Sequence, residues 1–373
     1  MDNSTPMDEP RPTLSSDEHR DALAARLFGS LVATMDLAAV YLGDRLGLYR
    51  ALADGGPMTS GDLAARTGLV ERYVREWLEH GAVSDLLTVE DATAAADVRR
   101  YALPAGHDAV LVDELDLAYL APIIRQTIVA LRGLPELAAV FQRGGGVPWS
   151  WYGADIRDGQ GAANRPSYHH LLGSTWLPSV PDVHARLSAE PPARVADLAC
   201  GEGWSTIALA RAYPKAHVDG IDLDEPAIAQ ARRNLAATEV GDRVTFHARD
   251  AADPALQGAF DLVTIFEAVH DMAQPIAVLR AARGLLAPGG SMIVMDERVA
   301  ETFGAPGDEV ERLMYGFSLL VCLTNGMADP PSAETGAVMR PATLRGYAQA
   351  AGFDNFEILP IEHDTWRFYR LDP

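Results

Sequence analysis

The sequence predicts an α/β protein in two parts: a mainly helical, winged-helix-like domain followed by a seven-stranded sheet covered by helices. Beyond Ala193, seven short β-rich runs alternate with helical stretches, among them "RVADLA", "HVDGIDL" and "FDLVTIF". This alternation is typical of a parallel sheet with helices on both faces. Before Ala193, apolar residues recur at spacings of three and four, which favours helices.

The N-terminal domain is expected over residues 18–110, after a disordered polar tail at 1–17. Helical periodicity covers "LFGSLVATMDLAAVYLGDRLGLYRAL". Ser60 is expected to cap a short helix, and a second helix is expected to begin near Val70. A weak strand pair at "DLLTVE" and "RRYALP" completes a helix-turn-helix with a wing.

The second half of the chain is divided by its pattern into three segments. A helical linker that lines the pocket is expected over residues 111–190, and "EPPARV" is the predicted domain boundary. The C-terminal domain is then expected over residues 191–373. Within it, a long apolar helical insertion is expected at about 301–340, where it would cover the active site.

Charge and cysteine content restrict the classes of partner and location. The 373 residues carry a formal net charge of −21, which repels nucleic acid and anionic membranes. Two cysteines, Cys200 and Cys322, cannot form a disulfide framework, so we expect a reducing cytoplasm. Because we find no uninterrupted apolar run of about eighteen residues and no signal-peptide pattern, we expect no membrane association.

The stretch "DLACGEGWS" carries the strongest functional signal. It joins a predicted strand to a predicted helix, which is the setting of a nucleotide-binding loop. Gly201 and Gly203 allow a ligand to approach the backbone closely. A dinucleotide fingerprint would require glycine at Ala199, and the acids Asp197 and Glu202 would repel a pyrophosphate. A ligand with a cationic amino-acid end suits this acidity better.

The loop resembles motif I of class I S-adenosylmethionine-dependent methyltransferases, a Rossmann-like family, with Ala199 at its first glycine position. Four later segments resemble the family's pattern in order: "GIDLDE", "HARDAAD", "FDLVTIFEAVHD" and "LLAPGGSMIVMDE". The resemblance implies S-adenosyl-L-methionine as the cofactor. The cofactor-binding residues that it implies are Asp197, Ala199, Gly201, Gly203, Asp222, Leu223, Asp250, Ala251 and Phe266.

Each part of the cofactor has an expected partner within that set. Asp197 and the two glycines are expected to hold the methionine end. Asp222 lies about twenty residues past the loop, where an acid binds both ribose hydroxyls. Asp250 and Ala251 are expected at the adenine ring, and Phe266 is expected to flank the cofactor.

The expected catalytic residues are His270, Asp271 and Glu297. The segment "FEAVHD" resembles the histidine–aspartate step of small-molecule O-methyltransferases, in which the histidine is the general base. Imidazole suits that role because its pKa lies near neutral pH. A histidine that only shapes the pocket is the alternative, because carbon methylators of this class also carry it. Glu297, Glu309 and Glu311 are all candidates to orient His270, and spacing does not choose among them.

No metal is expected in the active site. Some ketoacid methyltransferases hold iron near an adjacent histidine and aspartate. We find no second histidine at a convincing distance downstream of His270, so the metal prediction is negative. The favoured reaction is methyl transfer to oxygen, with transfer to carbon or nitrogen as the alternative.

Two segments are expected to enclose an apolar acceptor pocket. These are the insertion, "GDEVERLMYGFSLLVCLTNGM", and the loop "VPWSWYG". The expected pocket residues are Trp149, Trp151, Tyr152, Met314, Tyr315 and Phe317. A role in the domain-interface core is the alternative for both segments. We expect a small hydrophobic or aromatic acceptor.

The predicted helix-turn-helix also raises the possibility of DNA binding. Its second helix, "VERYVREWLEH", offers two arginines but three glutamates, so it gains little from phosphate. The two-domain layout resembles bacterial and plant small-molecule methyltransferases whose winged-helix-like domain is a dimerisation module. We therefore expect a cytoplasmic homodimer that acts on a small-molecule acceptor and binds no nucleic acid.

Overall fold

The computed structural model describes residues 15–253 and 255–373. Most of the predicted tail, residues 1–14, lies outside the described residues. Ser15 caps the first helix, which begins at Ser16, so the helix starts slightly earlier than predicted. The chain divides into two compact units, one ending at His107 and the other covering Asp108–Pro373.

The first unit is a helical bundle with a small β-ribbon. Its elements are α1 (Ser16–Arg45), α2 (Leu48–Gly55), α3 (Ser60–Thr67), α4 (Glu71–Val83), β1 (Thr88–Val89) and β2 (Tyr101–Ala102). The two strands pair antiparallel, as the wing prediction requires. Thr59, not Ser60, caps α3, because its hydroxyl accepts from the backbone N–H of Asp62 at 3.1 Å.

Helix α1 has an unusual surface. It leaves a row of large apolar side chains exposed: Leu23, Leu27, Phe28, Leu31, Val32, Met35 and Leu42. Among the described residues, α1 is the one helix long and apolar enough to cross a membrane by length and composition. A single such helix near the N-terminus is only weak evidence for a membrane span, because core helices of soluble proteins meet the same criteria of length and composition. The predicted absence of a membrane partner therefore stays a prediction.

The second unit begins with helices that precede the sheet. They are α5 (His107–Leu111), which spans the division between the units, α6 (Ala121–Leu131), α7 (Leu134–Arg143), α8 (Trp149–Tyr152), α9 (Ala154–Ser167) and α10 (Pro181–Ser188). Between α9 and α10 the chain forms a π-helix at Tyr168–Trp176 and a short 3-10 turn at Leu177–Ser179.

The sheet and the helices that cover it follow. The strands are β3 (Arg194–Leu198), β4 (His217–Asp222), β5 (Val244–Ala248), β6 (Phe260–Phe266), β7 (Leu286–Glu297), β8 (Asn355–Ile358) and β9 (Trp366–Asp372). The helices are α11 (Trp204–Ala212), α12 (Glu225–Ala236), α13 (Pro275–Leu285), α14 (Glu309–Phe317), α15 (Leu323–Gly326) and α16 (Pro341–Ala351). A second π-helix, Ser318–Cys322, joins α14 to α15.

The seven strands form one mixed sheet in the order β5-β4-β3-β6-β7-β9-β8. Strands β3 to β7 run parallel, whereas β9 is antiparallel to both β7 and β8. Buried apolar clusters cover both faces of the sheet. The predicted fold class is confirmed. Because β3 lies beside both β4 and β6, the strand order reverses at its carboxyl end, where α/β sheets bind their ligands.

Candidate active site

The loop after β3 is held from below by Asp197. Its buried carboxylate accepts hydrogen bonds from Ser205 Oγ at 2.6 Å and from Thr206 Oγ1 and Thr264 Oγ1 at 2.7 Å each. These three hydroxyls join β3 to α11 and β6. Asp197 does not line the cavity at the sheet edge. Asp197 was predicted to contact the methionine end of the cofactor. The structure does not support that contact, because both of its carboxylate oxygens face the core.

The turn itself requires an uncommon backbone. Ala199, Gly201 and Gly203 have φ values of +55°, +51° and +79°, in the left-handed region that favours glycine. A Cβ on Gly203 would overlap the ring of Phe246, whereas one on Gly201 would meet no atom within 4 Å. Ala199 and Gly201 both line the cavity, and Gly203 does not. The open space beside Gly201 is thus available to a ligand.

Asp222 is at the end of β4 and lines the same cavity. Its two oxygens accept from the backbone N–H groups of Gly201 and Asp224, each at 2.8 Å. These bonds fix the carboxylate beside the glycine turn while each oxygen keeps a free lone pair. Burial raises the pKa of Asp222. Leu223 follows it and also lines the cavity.

The predicted adenine residues lie elsewhere. Asp250 is exposed, and its carboxylate accepts from the backbone N–H of Ala252 at 2.8 Å. Ala251 is buried in the core below the sheet edge. Neither residue is part of the cavity wall. Phe266, by contrast, lines the cavity and stacks on Tyr168 with ring centroids 5.8 Å apart.

His270 follows β6 in a short 3-10 turn, and its ring is buried. Its Nδ1 lies 2.7 Å from Asp296 Oδ1, and its Nε2 lies 3.6 Å from Asp271 Oδ1. Although burial opposes the charged form, Asp296 and Asp271 raise the pKa of His270 well above its usual value. The imidazole therefore holds a proton more firmly than a free histidine does.

Glu297, one of the three expected candidates to orient His270, does not hold the ring, because Asp296 does. Along β7 the side chains alternate between the two faces of the sheet. Asp296 shares the face of Val294, which belongs to the same apolar cluster as Val269. Glu297 lies on the opposite face. The other two candidates are also engaged elsewhere or exposed: Glu311 pairs with Arg340 at 2.7 Å, and Glu309 is exposed.

Glu297 instead forms a buried acidic pair with Glu267. Glu267 has a positive φ of 55° and accepts hydrogen bonds from Trp366 Nε1 at 2.9 Å, from Gln160 Nε2 at 3.0 Å and from Asn164 Nδ2. Burial raises the pKa of both carboxyls; Glu267 raises that of Glu297 further, whereas a hydrogen bond with Glu297 lowers that of Glu267. Both glutamates line the cavity.

A thiol completes the group around His270. One potential ligand atom from each of His270, Asp271 and Cys322 lies within 4.8 Å of the other two. Burial raises the pKa of Cys322 to about 12, so its thiol stays protonated unless a cation binds it. The sequence pattern offered no second histidine as a metal ligand. Cys322 lies fifty-two positions after His270, and no motif connects the two residues in the sequence. The negative metal prediction stays a prediction.

The cavity has a volume of about 490 Å³. Of the expected pocket residues, Trp149, Met314 and Phe317 line it. Trp151 and Tyr315 do not, and are 47% and 43% exposed. Tyr152 is buried beside the cavity, and its hydroxyl donates to the carbonyl oxygen of Leu320 at 2.5 Å.

One face of α9 was not predicted as part of the site. Arg157, Gln160, Gly161 and Asn164 recur at helical spacing and line the cavity. Their spacing was visible in the sequence, but only the packing of α9 places this face over the loop after β3. Glu202 also lines the cavity, and burial together with the nearby carboxylate of Asp158 raises the pKa of Glu202 to about 8.

Known proteins resemble both parts of the chain. The family described as "Rv2258c-like winged HTH domain" matches residues 33–113, and the family described as "Methyltransferase domain" matches residues 195–290. Over 173 residues the chain is 32% identical to the ubiquinone biosynthesis O-methyltransferase of Aromatoleum aromaticum, covering 46% of this chain and 68% of that protein. The chain belongs to the S-adenosylmethionine-dependent methyltransferases.

Other methyltransferases agree with this assignment. The ubiquinone biosynthesis O-methyltransferase of Xanthomonas axonopodis pv. citri is 31% identical over 188 residues, covering 50% of this chain and 72% of that protein. Mitomycin 7-O-methyltransferase MmcR has a similar fold, with a TM-score of 0.67 and 18% identity over 95% of this chain and 99% of that chain. Human N-acetylserotonin methyltransferase, solved with S-adenosylmethionine, also has a similar fold. Its TM-score is 0.68 and its identity 18%, over 97% of this chain and 99% of that chain.

The cofactor of this methyltransferase is S-adenosylmethionine, as predicted. Two features of the cavity fit this cofactor. A glycine with positive φ leaves open space at the turn, and the Asp222 carboxylate beside it has free lone pairs for hydroxyl groups. The Asp222 carboxylate at this turn accepts hydrogen bonds, which suits hydroxyl groups and does not suit a pyrophosphate.

Proposed function

We propose that this methyltransferase transfers the methyl group to a hydroxyl oxygen of a small, largely apolar acceptor, with His270 as the general base. The observation that carries the proposal is that His270 lines the cavity while the buried Asp296 holds its Nδ1 at 2.7 Å. An apolar wall of Met314, Phe317 and Val321 faces the same space. The curated relatives named above are O-methyltransferases by name, which supports oxygen over carbon and nitrogen.

The chain's own residues divide the binding of the cofactor between them. The cofactor supplies a methyl group on a sulfonium, already activated for displacement. Asp222 would hold the ribose hydroxyls, the backbone at Ala199 and Gly201 the methionine end, and Leu223 and Phe266 would flank the remainder. All five residues line one cavity. Asp197 would act below them by keeping the turn in place.

The base would act through Nε2 of His270. Asp296 engages Nδ1, so Nε2 is the nitrogen left for the acceptor hydroxyl. As the carbon–oxygen bond forms, the hydroxyl proton would pass to Nε2, and the two neighbouring aspartates would stabilise the imidazolium. A positioned base of this kind typically contributes a factor of about 10²–10⁴ to the rate. A carbon or amine nucleophile would need it less.

The test is a transfer assay with the full chain and S-adenosylmethionine that carries an isotopically labelled methyl group. A panel of phenols, alcohols and amines is supplied, and NMR of the labelled methyl identifies the atom that receives it. We expect an oxygen-bound methyl group, and His270→Gln should slow its formation at least about 100-fold with S-adenosylhomocysteine affinity unchanged. His217→Gln, an exposed histidine at the start of β4, is the matched control. A methyl group on carbon or nitrogen contradicts the proposal.

We also propose that the N-terminal unit makes the enzyme a homodimer in the cytoplasm. The exposed apolar row of α1 supports an interface. DNA binding is disfavoured, because both arginines of α4 pair with glutamates of the same helix: Arg75 with Glu71 at 3.2 Å and Arg72 with Glu76. Paired arginines on a chain of net charge −21 gain little from phosphate.

A further inference from the structure

The cavity has two chemically different ends. The glycine turn, Asp222 and Leu223 form the end at which the proposed function places the cofactor. The opposite end, called here the acceptor end, lies where β6 and β7 finish and the helical insertion begins. Its lining residues are Glu267, His270, Asp271, Glu297, Met314, Phe317, Val321, Cys322 and Asp329.

The acceptor end has an excess of acids. Four of its lining residues are carboxylic acids, and neither lysine nor arginine is among the described residues that line it. Its one basic side chain, His270, already has Asp296 at 2.7 Å on one ring nitrogen. The cavity's other cation, Arg157, pairs with Asp224 at 2.7 Å at the cofactor end. An anionic group on an acceptor would therefore meet an excess of carboxyl groups, and the one basic side chain, His270, already lies between Asp296 and Asp271.

The Glu267–Glu297 pair places negative charge deep in this end. Three N–H donors hold the Glu267 carboxylate, and such donors favour the charged form. Glu297 is 5% exposed, and its Oε2 has no hydrogen-bond partner among the described residues. Burial raises the pKa of both groups, and the charge of Glu267 raises that of Glu297 further. Glu267, held by three N–H donors, therefore presents negative charge to the acceptor, and Glu297 adds a second acidic side chain beside it.

The backbone at Glu267 is a further sign that this carboxylate is placed for a purpose. Its φ of +55° is unfavourable for a residue with a side chain, and such strain clusters at functional sites. The backbone N–H of Glu267 donates to the carbonyl oxygen of Met295 at 2.7 Å, which fixes the strained residue at the end of β6. The strain thus turns an acid into the cavity wall next to Glu297.

We propose that the acceptor end selects a hydroxyaromatic compound that carries no anionic group, and that a protonated amine on the acceptor strengthens binding. This inference rests on the proposed function and names its substrate class. A carboxylate brought into the enclosed space loses water and gains repulsion from the acidic pair. A neutral donor or an ammonium can instead donate a hydrogen bond to that pair. The ring itself packs on Met314, Phe317 and Val321.

The test compares three probes that share a phenol ring: para-hydroxyphenylacetate, its neutral amide and the cationic amine tyramine. Their dissociation constants are measured by ligand-observed NMR on the full chain saturated with S-adenosylhomocysteine. We expect the carboxylate to bind at least about tenfold more weakly than the amide, and tyramine to bind at least as tightly as the amide. Equal or tighter binding of the carboxylate overturns the inference and leaves methyl transfer to oxygen intact.

A double variant assigns the effect to the acidic pair. Glu267→Gln with Glu297→Gln removes both carboxyl groups, so the difference in affinity between carboxylate and amide should fall to about threefold or less. The matched control is Glu357→Gln with Glu362→Gln, which alters two exposed glutamates outside the cavity. If the double variant still binds S-adenosylhomocysteine and still prefers the amide to the carboxylate by the wild-type factor, the assignment of this preference to the two glutamates is wrong. If that variant fails to bind it, the wild-type series decides alone.

Failure of the proposed function gives a different result. If none of the three probes binds the loaded wild-type enzyme, the small aromatic acceptor is wrong, and the charge selection falls with it. If all three probes bind with similar affinity, the selection against anionic acceptors is wrong, while the small aromatic acceptor of the proposed function is retained. The two failures are therefore separated by the amide, whose binding does not depend on charge.

Discussion

Asp296 Oδ1 lies 2.7 Å from His270 Nδ1, and the two side chains are 0% and 4% exposed. The backbone N–H of Glu297 donates to the same oxygen at 2.9 Å, which fixes the carboxylate from the other side. A carboxylate in this position sets the orientation of the ring and stabilises its protonated form. Asp296 is therefore the positioning residue of the proposed base.

Asp296→Asn should lower the pKa of His270, because it removes the closest negative charge while keeping the side-chain shape. We expect a fall of at least about 1 unit, measured by NMR titration of the imidazole ring. Asp354→Asn, an exposed aspartate elsewhere on the chain, is the control and should leave the titration unchanged. An unaltered His270 titration in Asp296→Asn would remove the positioning role.

The pH dependence of turnover should reflect the same charges. The neutral imidazole is the active base, and Asp296 and Asp271 raise its pKa well above the usual value of about 6.5. The rate should therefore rise with pH through a value above neutrality, and not between 6 and 7 as a free histidine would. Asp296→Asn should shift this rise to lower pH. A rate that is already constant below about pH 7 contradicts the base assignment.

The sequence could identify this site only in part, for reasons visible at particular residues. Asp222 and His270 were expected from the motif resemblance, and both lie at the carboxyl ends of parallel strands, which share one edge of the sheet. Asp296 was not among the expected candidates: it and Glu297 both end β7, and only the face of the sheet that His270 occupies distinguishes them. That face depends on packing that no local pattern records.

Two further residues escaped prediction because of helix geometry. Tyr168 and Cys322 lie in π-helices, where the extra residue per turn rotates the side chains away from ordinary helical spacing. Asp197 was expected at the ligand on the motif resemblance. That resemblance fixes the place of the residue in the chain but not the direction of its side chain, which points into the core. The fold class depended on repeated strand–helix alternation, which is far less sensitive to such local details.

The Asp197 cluster gives a stability prediction. Thr264 Oγ1 donates to Asp197 Oδ1 at 2.7 Å, and both side chains are buried. Thr264→Val removes this donor and should lower the free energy of unfolding by about 1.5–3 kcal/mol, measured by urea denaturation. Thr245→Val, at an exposed position of β5, should change it by less than about 0.5 kcal/mol. Equal effects would mean that the three hydroxyls do not stabilise the turn.

The apolar row of α1 predicts the oligomeric state. Light scattering should give the mass of a dimer for the wild type, and Phe28→Arg with Leu31→Arg should give a monomer, because both side chains are exposed on that row. Arg20→Ala with Arg26→Ala, exposed polar positions of the same helix, should remain dimeric. A monomeric wild type contradicts the interface. Co-sedimentation of the wild type with lipid vesicles would assign the row to a membrane.

The cavity beside the glycine turn should bind S-adenosylmethionine through Asp222, and calorimetric titration with S-adenosylhomocysteine measures this binding. Two hydroxyl groups bonded to one carboxylate contribute about 1.5–3 kcal/mol each. Asp222→Ala should therefore weaken binding at least about tenfold without lowering the melting temperature enough to unfold the protein. We expect tight, saturable binding by the wild type and this loss of affinity in the variant. Equal affinity of the two proteins would contradict it.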